Sequence, residues 1–274
     1  MAITSLTDLA AAKRTQAAFY RTSGGNSFAA FTLYNTINYG TLPAAGAAGP
    51  SNTANGVVPT NSTSGMLDLP STPDKLYLVN AECTWIGGTA GIVKATLFDM
   101  LFYCGSYNSV ATTNLTSQPS FSSRLPNSSY VGTQLWMEAA SGISGAGNYA
   151  ATITYTDQSA NAGHTTYATM TASTNTWPGG MTRVPLASGD SGISLIQTIQ
   201  ITATSSTAGN GVNFMIVRPI ASFFMPTKSK TVAQPLEVIG FPEVHPNSAL
   251  FLAMGSGTAA TNTVVSLELD FASG

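Results

Sequence analysis

Apolar residues recur at every second position along much of this chain, which is the spacing of β-strands with one buried face. The clearest example is residues 263–271, where an apolar set alternates with a polar set. The apolar set is Val265, Leu267, Leu269 and Phe271, and the polar set is Ser266, Glu268 and Asp270. This alternation predicts a strand whose apolar set faces the core.

The densest apolar stretch is residues 75–104, and it predicts two long strands at 75–85 and 92–104. Both faces of the second strand carry apolar residues, which indicates a strand covered on both sides in the middle of a core. Between the two strands, Gly87, Gly88 and Gly91 supply the backbone freedom that a tight connection needs. We therefore expect a central β-hairpin here, and the stretch contains no obvious chemistry.

Shorter strands follow at fairly even spacing along the rest of the chain. They are predicted at residues 16–21, 28–34, 134–139, 149–155, 165–172, 181–186, 193–204, 211–219, 236–239 and 250–254. The pair 149–155 and 165–172 and the pair 193–204 and 211–219 are expected to form hairpins, because turn residues separate their members. Many short strands with one helix candidate and no visible repeat predict an all-β fold, a β-sandwich or a jelly-roll-like body.

The sequence predicts two parts, an N-terminal helix or arm at residues 1–22 and a β-sandwich body at residues 23–274. The helix is expected at residues 4–16, where Leu6 and Leu9 follow helical spacing. It either covers the body or docks as an arm on a neighbouring subunit. Within the body, residues 38–73 are rich in small and polar residues, so we expect a disordered tip or an extended surface loop.

Charge is scarce in this chain. Charged residues make up 8% of the sequence, against about 25% in ordinary soluble proteins. Ser, Thr, Asn, Gly and Ala replace them, and such a neutral, hydroxyl-rich surface suits a protein that packs against other subunits. The net charge is −2 and the basic residues are scattered, so we expect no nucleic-acid partner. A solvated loop is the preferred interpretation of Lys228 and Lys230, with Arg218 upstream.

Neither the N-terminus nor the hydropathy pattern predicts export or a membrane span. The first residues lack the apolar core of a signal peptide, and no run of 18 apolar residues exists. We expect synthesis in the cytoplasm of the producing cell and no membrane partner. Cys83 and Cys104 lie on the two predicted long strands, and two buried free thiols are the favoured interpretation. A disulfide between them remains open, because sequence cannot define its geometry.

No motif for a metal or cofactor is apparent, and we expect neither. The two histidines, His164 and His245, show no metal-ligand spacing, and the two cysteines give no zinc signature. Glu82 and Asp99 are the one carboxylate pair that a hairpin could bring together for glycoside hydrolysis. Trp177 could stack on a sugar ring, although an aromatic cap at the end of a β-core is preferred.

Residues 189–192 read Gly-Asp-Ser-Gly, which matches the nucleophile motif of chymotrypsin-like proteases. Those enzymes need a histidine and an aspartate upstream, and the only histidine upstream of Ser191 is His164, which lacks their sequence context. Gly and Asp also favour the backbone angles of a tight turn. A turn between strands is therefore the preferred interpretation, and we expect no catalytic residue.

Several segments resemble a known group of proteins. They are residues 1–22, MAITSLTDLAAAKRTQAAFYRT; 95–101, ATLFDML; 151–165, ATITYTDQSANAGHT; and 184–193, VPLASGDSGI, followed by IQTI at 196–199. Together they resemble tailed-bacteriophage virion structural proteins of the capsid decoration, or cement, type. The relatives more often carry Leu-Tyr-Asp-Arg-Leu at 97–101, so a contact of that arginine does not carry over to Met100.

The resemblance implies a non-enzymatic protein on the capsid exterior. Its partners would be the major capsid protein and further copies of itself, in a dimer or trimer. The resemblance also implies that residues 189–192 form a strand-to-strand turn. Two alternatives stay open: a receptor- or carbohydrate-binding fibre or head-spike module, and a hydrolase that uses Ser191.

Overall fold

A computed structural model describes most of the chain. The described residues are 6–22, 27–28, 32–37, 42–44, 46, 52–69, 72, 75–87, 92–140, 148–171, 178–204, 211–235, 240–258, 260–261 and 263–274. Over these residues the protein is almost entirely β, with one short α-helix. The prediction of an all-β fold with a short N-terminal helix is confirmed. Within the same residues, no helix has the length and apolar character needed to span a membrane.

The helix, α1, is Leu6–Ala11, and two 3₁₀ turns lie at Ser122–Arg124 and Pro126–Ser128. The strands are β1 Lys13–Thr22, β2 Ser27–Phe28, β3 Leu33–Asn35, β4 Asn52–Val57, β5 Leu76–Gly87, β6 Val93–Tyr107, β7 Thr112–Asn114, β8 Gln134–Ala139, β9 Asn148–Asp157, β10 His164–Thr171, β11 Gly180–Val184, β12 Ile193–Ala203, β13 Val212–Met225, β14 Lys230–Pro235, β15 Glu243–Val244, β16 Leu250–Ser256, β17 Ala260–Thr261 and β18 Val264–Ser273.

A closed barrel forms the centre of the molecule. Its strands follow the order β13-β8-β11-β3-β16-β6, and β13 also pairs with β6, which closes the ring. Strand β4 attaches to β6 outside the ring. Because β6 is fifteen residues long, it pairs with β13 along its whole length and with β16 and β4 at opposite ends of its other edge.

Two further sheets flank the barrel. The first flanking sheet has the order β1-β18-β5-β14, with β15 also paired to β5, and the second has the order β10-β9-β12-β7. A two-stranded pair, β2 and β17, completes the described sheets. Each flanking sheet covers a different end of the outer barrel wall, so the body is built from packed sheet layers.

Three apolar cores result from this layering. The first lies between the barrel and the first flanking sheet, the second lies between the barrel and the second flanking sheet, and the third fills the barrel interior. Trp85 and Leu97 belong to the first core, Tyr155 and Phe214 to the second, and Phe98 to the third. Strand β6 contributes side chains to all three cores. The prediction that this strand is covered on both faces is confirmed.

The predicted hairpin at residues 75–104 is wrong. Strands β5 and β6 form, but β5 pairs in the first flanking sheet and β6 pairs in the barrel. Their apolar sides meet across the first core instead, where Cys83 and Trp85 of β5 lie in the same cluster as Ala95 and Leu97 of β6. Period-2 alternation defines which side of a strand is buried but not which strand lies beside it, so a hairpin and two facing sheets give the same pattern.

The second predicted hairpin fails for the same reason. Strand β12 pairs with β9 and β7, whereas β13 pairs with β6 and β8, and the two face each other across the second core. The hairpin of β9 and β10 is confirmed, with eight residue pairs. The last strand is also confirmed, and its apolar set is buried. The strand predicted at 236–239 lies outside the described residues.

The N-terminal helix is shorter than predicted. It ends at Ala11, and β1 then pairs with β18 over ten residues. As part of a strand, this segment buries Phe19 in the first core. Such burial stabilises the fold more than local helix propensity does, so the residues after Ala11 form a strand despite their helical spacing. Leu9 packs on Val79 and Ala272, so the helix covers part of the first flanking sheet.

The long segment 38–73 lies at least partly against the body. It contains β4, and Met66, Leu67 and Leu69 are buried. Cys83 and Cys104 are both free and buried, and they belong to different cores. Burial raises the pKa of each thiol to about 12, so both remain protonated and inert at neutral pH.

Candidate functional site

The Gly-Asp-Ser-Gly segment lies against the hairpin of β9 and β10. His164 Nδ1 lies 2.8 Å from Asp190 Oδ2, and the Tyr155 hydroxyl donates a hydrogen bond of 2.5 Å to the same oxygen. The Tyr155 oxygen in turn accepts from the backbone N–H of Ala187 at 2.7 Å. Burial, followed by the hydrogen bond to Asp190, raises the pKa of Tyr155 to about 12. The turn is therefore tied to the hairpin by a hydroxyl that stays protonated.

Asp157 closes this group from the other side of the imidazole. His164 Nε2 lies 3.8 Å from Asp157 Oδ2. The carboxylate also accepts hydrogen bonds from the backbone N–H groups of Ser159 and Asn161, both at 2.8 Å, and from Asn161 Nδ2 at 2.9 Å. Burial by itself raises the pKa of Asp157, but these hydrogen bonds and the charge of His164 outweigh it, so the net pKa is lowered. We call Tyr155, Asp157, His164 and Asp190 the hairpin–turn cluster.

Backbone contacts of Ser191 complete the attachment of the turn. Its N–H and that of Gly192 donate to Gln158 Oε1 at 2.9 and 3.1 Å. The Ser191 side chain is exposed, and among the described residues no hydrogen bond joins its hydroxyl to His164. The structure thus confirms the turn, and the histidine pairs with the aspartate of the motif.

The hairpin–turn cluster also contains the ligand types of a cation site. The nitrogen and carboxylate atoms of Asp157, His164 and Asp190 lie within 4.8 Å of one another. However, one Asp190 oxygen already serves Tyr155 and His164, and the Asp157 carboxylate accepts three hydrogen bonds. The polar groups therefore satisfy one another, and the arrangement fixes the turn to the hairpin.

Sequence reasoning noted both segments of this cluster but did not place them together. Part of the cluster could have been predicted, because the hairpin of β9 and β10 sets His164 directly opposite Tyr155. What the hairpin does not predict is the approach of Asp190, which depends on β12 lying beside β9.

Single substitutions distinguish a structural turn from an active site. Ser191→Ala is expected to change the free energy of unfolding by less than about 0.5 kcal/mol, because the exposed side chain makes no described contact. Asp190→Ala is expected to cost about 1–2 kcal/mol, because Tyr155 and His164 lose their shared acceptor. Urea unfolding of both variants measures this. A hydrolytic activity that Ser191→Ala abolishes would contradict the structural assignment.

A buried charge cluster lies on β6, between the first and second cores. Asp99 is fully buried and pairs with Arg124, which reaches it from the first 3₁₀ turn. Ser248 Oγ donates to the other Asp99 oxygen at 2.8 Å, and Arg218 Nη2 lies 4.0 Å from it. The acid inside the central strand thus has partners from three distant parts of the chain.

The cations of this cluster bridge to backbone carbonyl groups as well. Arg218 Nη2 donates to the Glu243 carbonyl at 2.7 Å, and Arg124 Nη1 donates to the Pro59 carbonyl. Burial lowers the pKa of Arg218 although Asp99 acts against it, and burial with the nearby Arg124 charge lowers the pKa of His245. The cluster therefore joins β6 and β13 to β15 of the first flanking sheet and to the segment that follows β4.

A second buried acid lies inside the barrel. Glu138 of β8 accepts hydrogen bonds from Tyr103 Oη at 2.9 Å, from Asn213 Nδ2 at 3.0 Å and from Asn35 Nδ2. These partners lie on β6, β13 and β3, so one side chain links four barrel strands. Burial raises the pKa of Glu138, and the three hydrogen bonds oppose that rise. The same burial, with the Glu138 charge, raises the pKa of Tyr103.

The other sequence candidates lie apart. Glu82 is exposed on the first flanking sheet, whereas Asp99 is buried on the barrel wall, so the structure does not bring this carboxylate pair together. Arg218 is mostly buried on β13, Lys228 is exposed just before β14, and Lys230 is the exposed first residue of β14. Trp177 lies outside the described residues.

One apolar groove is open to solvent at an end of the barrel. It encloses about 460 Å³, and its lining includes Leu33, Ile92, Lys94, Trp136, Phe224 and Gly255. Phe224 is 61% exposed and Ile92 is 40% exposed. Register places Phe224 and Gly255 on either side of Lys94, at one end of β6. An exposed aromatic in an apolar groove is typical of a surface that contacts another molecule.

Comparison with known proteins adds little to this description. No protein-family model and no curated protein matches the chain. Solved structures of infectious bursal disease virus are similar in part. A chain of the Gt strain structure is 10% identical, with a TM-score of 0.22, over 96% of this chain and 81% of that chain. A chain of the VP2 subviral particle is 9% identical, with a TM-score of 0.21 and the same coverage. TM-scores this low carry no argument about fold or function.

Proposed function

We propose that this protein is a non-enzymatic structural component of a virion, a decoration or cement protein that binds the outer capsid shell. The partner is the major capsid protein, and further copies of the chain bind beside it. The observation that carries the proposal is the apolar groove around Phe224 on a chain with 8% charged residues. The sequence segments that resemble phage decoration proteins support it.

The groove fits this role for energetic reasons. Burying an exposed phenylalanine against a partner contributes about 1.5–3 kcal/mol. A hydroxyl-rich surface around it can be buried with few unpaired charges, and Lys94 is the charged residue in the groove lining that a partner has to pair with or leave in water. Repetition over a symmetric shell multiplies a modest contact into a large total stabilisation.

A substitution in the groove tests the proposal. Phe224→Asp is expected to lower the affinity for expanded capsids that lack this protein by at least about tenfold, because it removes the exposed aromatic ring and places a hydrated carboxylate in the contact surface. Val131→Asp is the matched control, since Val131 is 60% exposed and lies outside the groove. Co-sedimentation with purified capsids measures occupancy.

Two results would reject the proposal. One is a wild-type protein that does not bind such capsids. The other is equal capsid binding by Phe224→Asp and Val131→Asp. Binding to a glycan array without capsid binding would favour the alternative of a receptor- or carbohydrate-binding module.

A further inference from the structure

The edge of the first flanking sheet is open along much of β1. Tyr20 exchanges backbone hydrogen bonds with Leu42, at 2.7 and 3.4 Å, on the side away from β18. Because backbone groups alternate along a strand, Ala18, Gln16 and Arg14 direct their N–H and C=O groups to the same side. Gly46, four residues after Leu42, donates its N–H to the Ile37 carbonyl at 2.8 Å instead of to β1. Among the described residues, no backbone hydrogen bond reaches these three edge positions.

The outward face beside this edge is acidic. Glu268 of β18 and Glu82 of β5 are direct cross-strand neighbours, and both are exposed. Asp270 lies in the next outward row, where Asn80 Nδ2 donates to it at 3.1 Å. Like charges placed directly opposite each other destabilise a sheet unless a cation joins them. A trough of about 360 Å³ runs over this face, lined in part by Ala18, Glu82 and Glu268.

The residue between the open edge and Glu268 is small. Ala18 pairs directly with Glu268 and is the edge residue of that row. A long side chain on a strand added beside β1 could therefore extend over Ala18 to the carboxylate. Adjacent strands lie about 4.8 Å apart, so the two Cα atoms would be about 10 Å apart, a separation that an arginine and a glutamate span together.

The chain itself carries the matching cation. Arg14 is exposed, and it lies on β1 on the same face as Ala18, four residues before it. In the monomer its Nη2 atom lies 3.4 Å from the Leu9 carbonyl, and among the described residues it makes no ion pair. Arg14 thus lies at the open edge as a cation without an ion pair among the described residues, at one end of the face that carries Glu82, Glu268 and Asp270.

We propose that two copies of this chain pair through β1, antiparallel, with Gln16 on the two-fold axis. In this register Arg14 of one copy lies opposite the partner's Ala18 and extends to the partner's Glu268. The two-fold axis repeats the same contact in the opposite direction. The two first flanking sheets then join into one continuous sheet, and both open edges gain backbone hydrogen bonds. This pairing does not rest on capsid binding.

The backbone part of the proposal is tested with Gln16→Pro in the full chain. The Gln16 N–H points away from β18, so proline removes the donor at the axis and leaves the β1–β18 ladder intact. Sedimentation velocity of the wild type at micromolar concentration is expected to show a dimer, and Gln16→Pro a monomer whose far-UV circular dichroism spectrum matches that of the wild type. A monomeric wild type, or a Gln16→Pro dimer of wild-type affinity, would overturn the pairing.

The charge part has a rescue experiment that needs no backbone change. Arg14→Glu alone and Glu268→Arg alone are each expected to raise the dissociation constant of the dimer at least about tenfold, because each creates two like-charge contacts. An equimolar mixture of these two variants is expected to form a heterodimer of near wild-type affinity, because both contacts then regain opposite charges. If the dissociation constant of the mixture were no lower than those of the single variants, the assigned register would be wrong. This test remains valid even if Gln16→Pro fails to fold.

Discussion

Asp99→Asn is expected to lower the free energy of unfolding by about 3–5 kcal/mol. The side chain is fully buried, and Arg124, its ion-pair partner, is 4% exposed at the side chain. Asparagine keeps the shape but removes the charge, so the buried guanidinium groups of Arg124 and Arg218 lose their counter-charge. The cluster joins β6 to three other parts of the chain, so we expect the loss to lower the stability of the whole cooperative unit.

Urea denaturation followed by tryptophan fluorescence measures the effect. Asp68→Asn is the matched control, because it makes the same chemical change at an exposed loop position, and it is expected to stay within about 0.5 kcal/mol of the wild type. If Asp99→Asn lowered the free energy of unfolding by no more than Asp68→Asn does, the ion pair with Arg124 would not be a stabilising contact of the folded protein.

Glu138→Ala is expected to lower the free energy of unfolding by about 3–5 kcal/mol, because the side chains of Tyr103, Asn213 and Asn35 are left as buried donors without an acceptor. Because the three donors come from three other barrel strands, we also expect the barrel to lose rigidity. Hydrogen exchange of the barrel strands is expected to accelerate more than that of the second flanking sheet. Equal acceleration in both regions would show that Glu138 does not hold the barrel locally.

Glu138 also gives a pH dependence with a defined sign. Its pKa in the folded state is raised above the ordinary value of 4.5 by burial, so the folded state holds this proton at pH values where the unfolded state has lost it. Its contribution to stability is therefore largest below pH 4.5, falls as the pH rises towards the folded-state pKa, and is constant above it. Glu138→Gln removes the titration and is expected to remove this fall.

The measurement is the difference in unfolding free energy between the wild type and Glu138→Gln at a series of pH values. Subtracting the two curves cancels other groups, such as Asp157, whose lowered pKa makes the fold less stable as the pH falls. A difference that does not vary with pH would show that Glu138 titrates alike in the folded and unfolded chains.

Local patterns predicted the elements of this fold more reliably than their partners. Strand β18 has the predicted inward set, and β9 and β10 form the predicted hairpin. A close turn joins β9 to β10, so chain proximity and pattern agree. For β5 with β6 and for β12 with β13, the alternation was compatible with two arrangements, pairing side by side in one sheet or packing face to face across a core. The structure has the second arrangement in both cases.

The candidate clusters were less predictable because their members are distant in sequence. Asp99 plainly needs a partner, yet Arg124 comes from a 3₁₀ turn and Ser248 from a loop. The same holds for Glu138 and its three donors on other strands. No spacing rule connects such residues, because closure of the barrel brings them together.

The sequence by itself determined the secondary-structure class, the buried side of the major strands and the scarcity of charge, since these follow from local alternation and composition. Tertiary structure alone decided which strands pair, that the central sheet closes into a barrel, and that His164 meets Asp190. It also decided that β1 ends its sheet with Arg14 at an open edge. The physical reason is that strand pairing and ion pairs form between residues far apart along the chain, and their choice depends on burying all apolar faces at once.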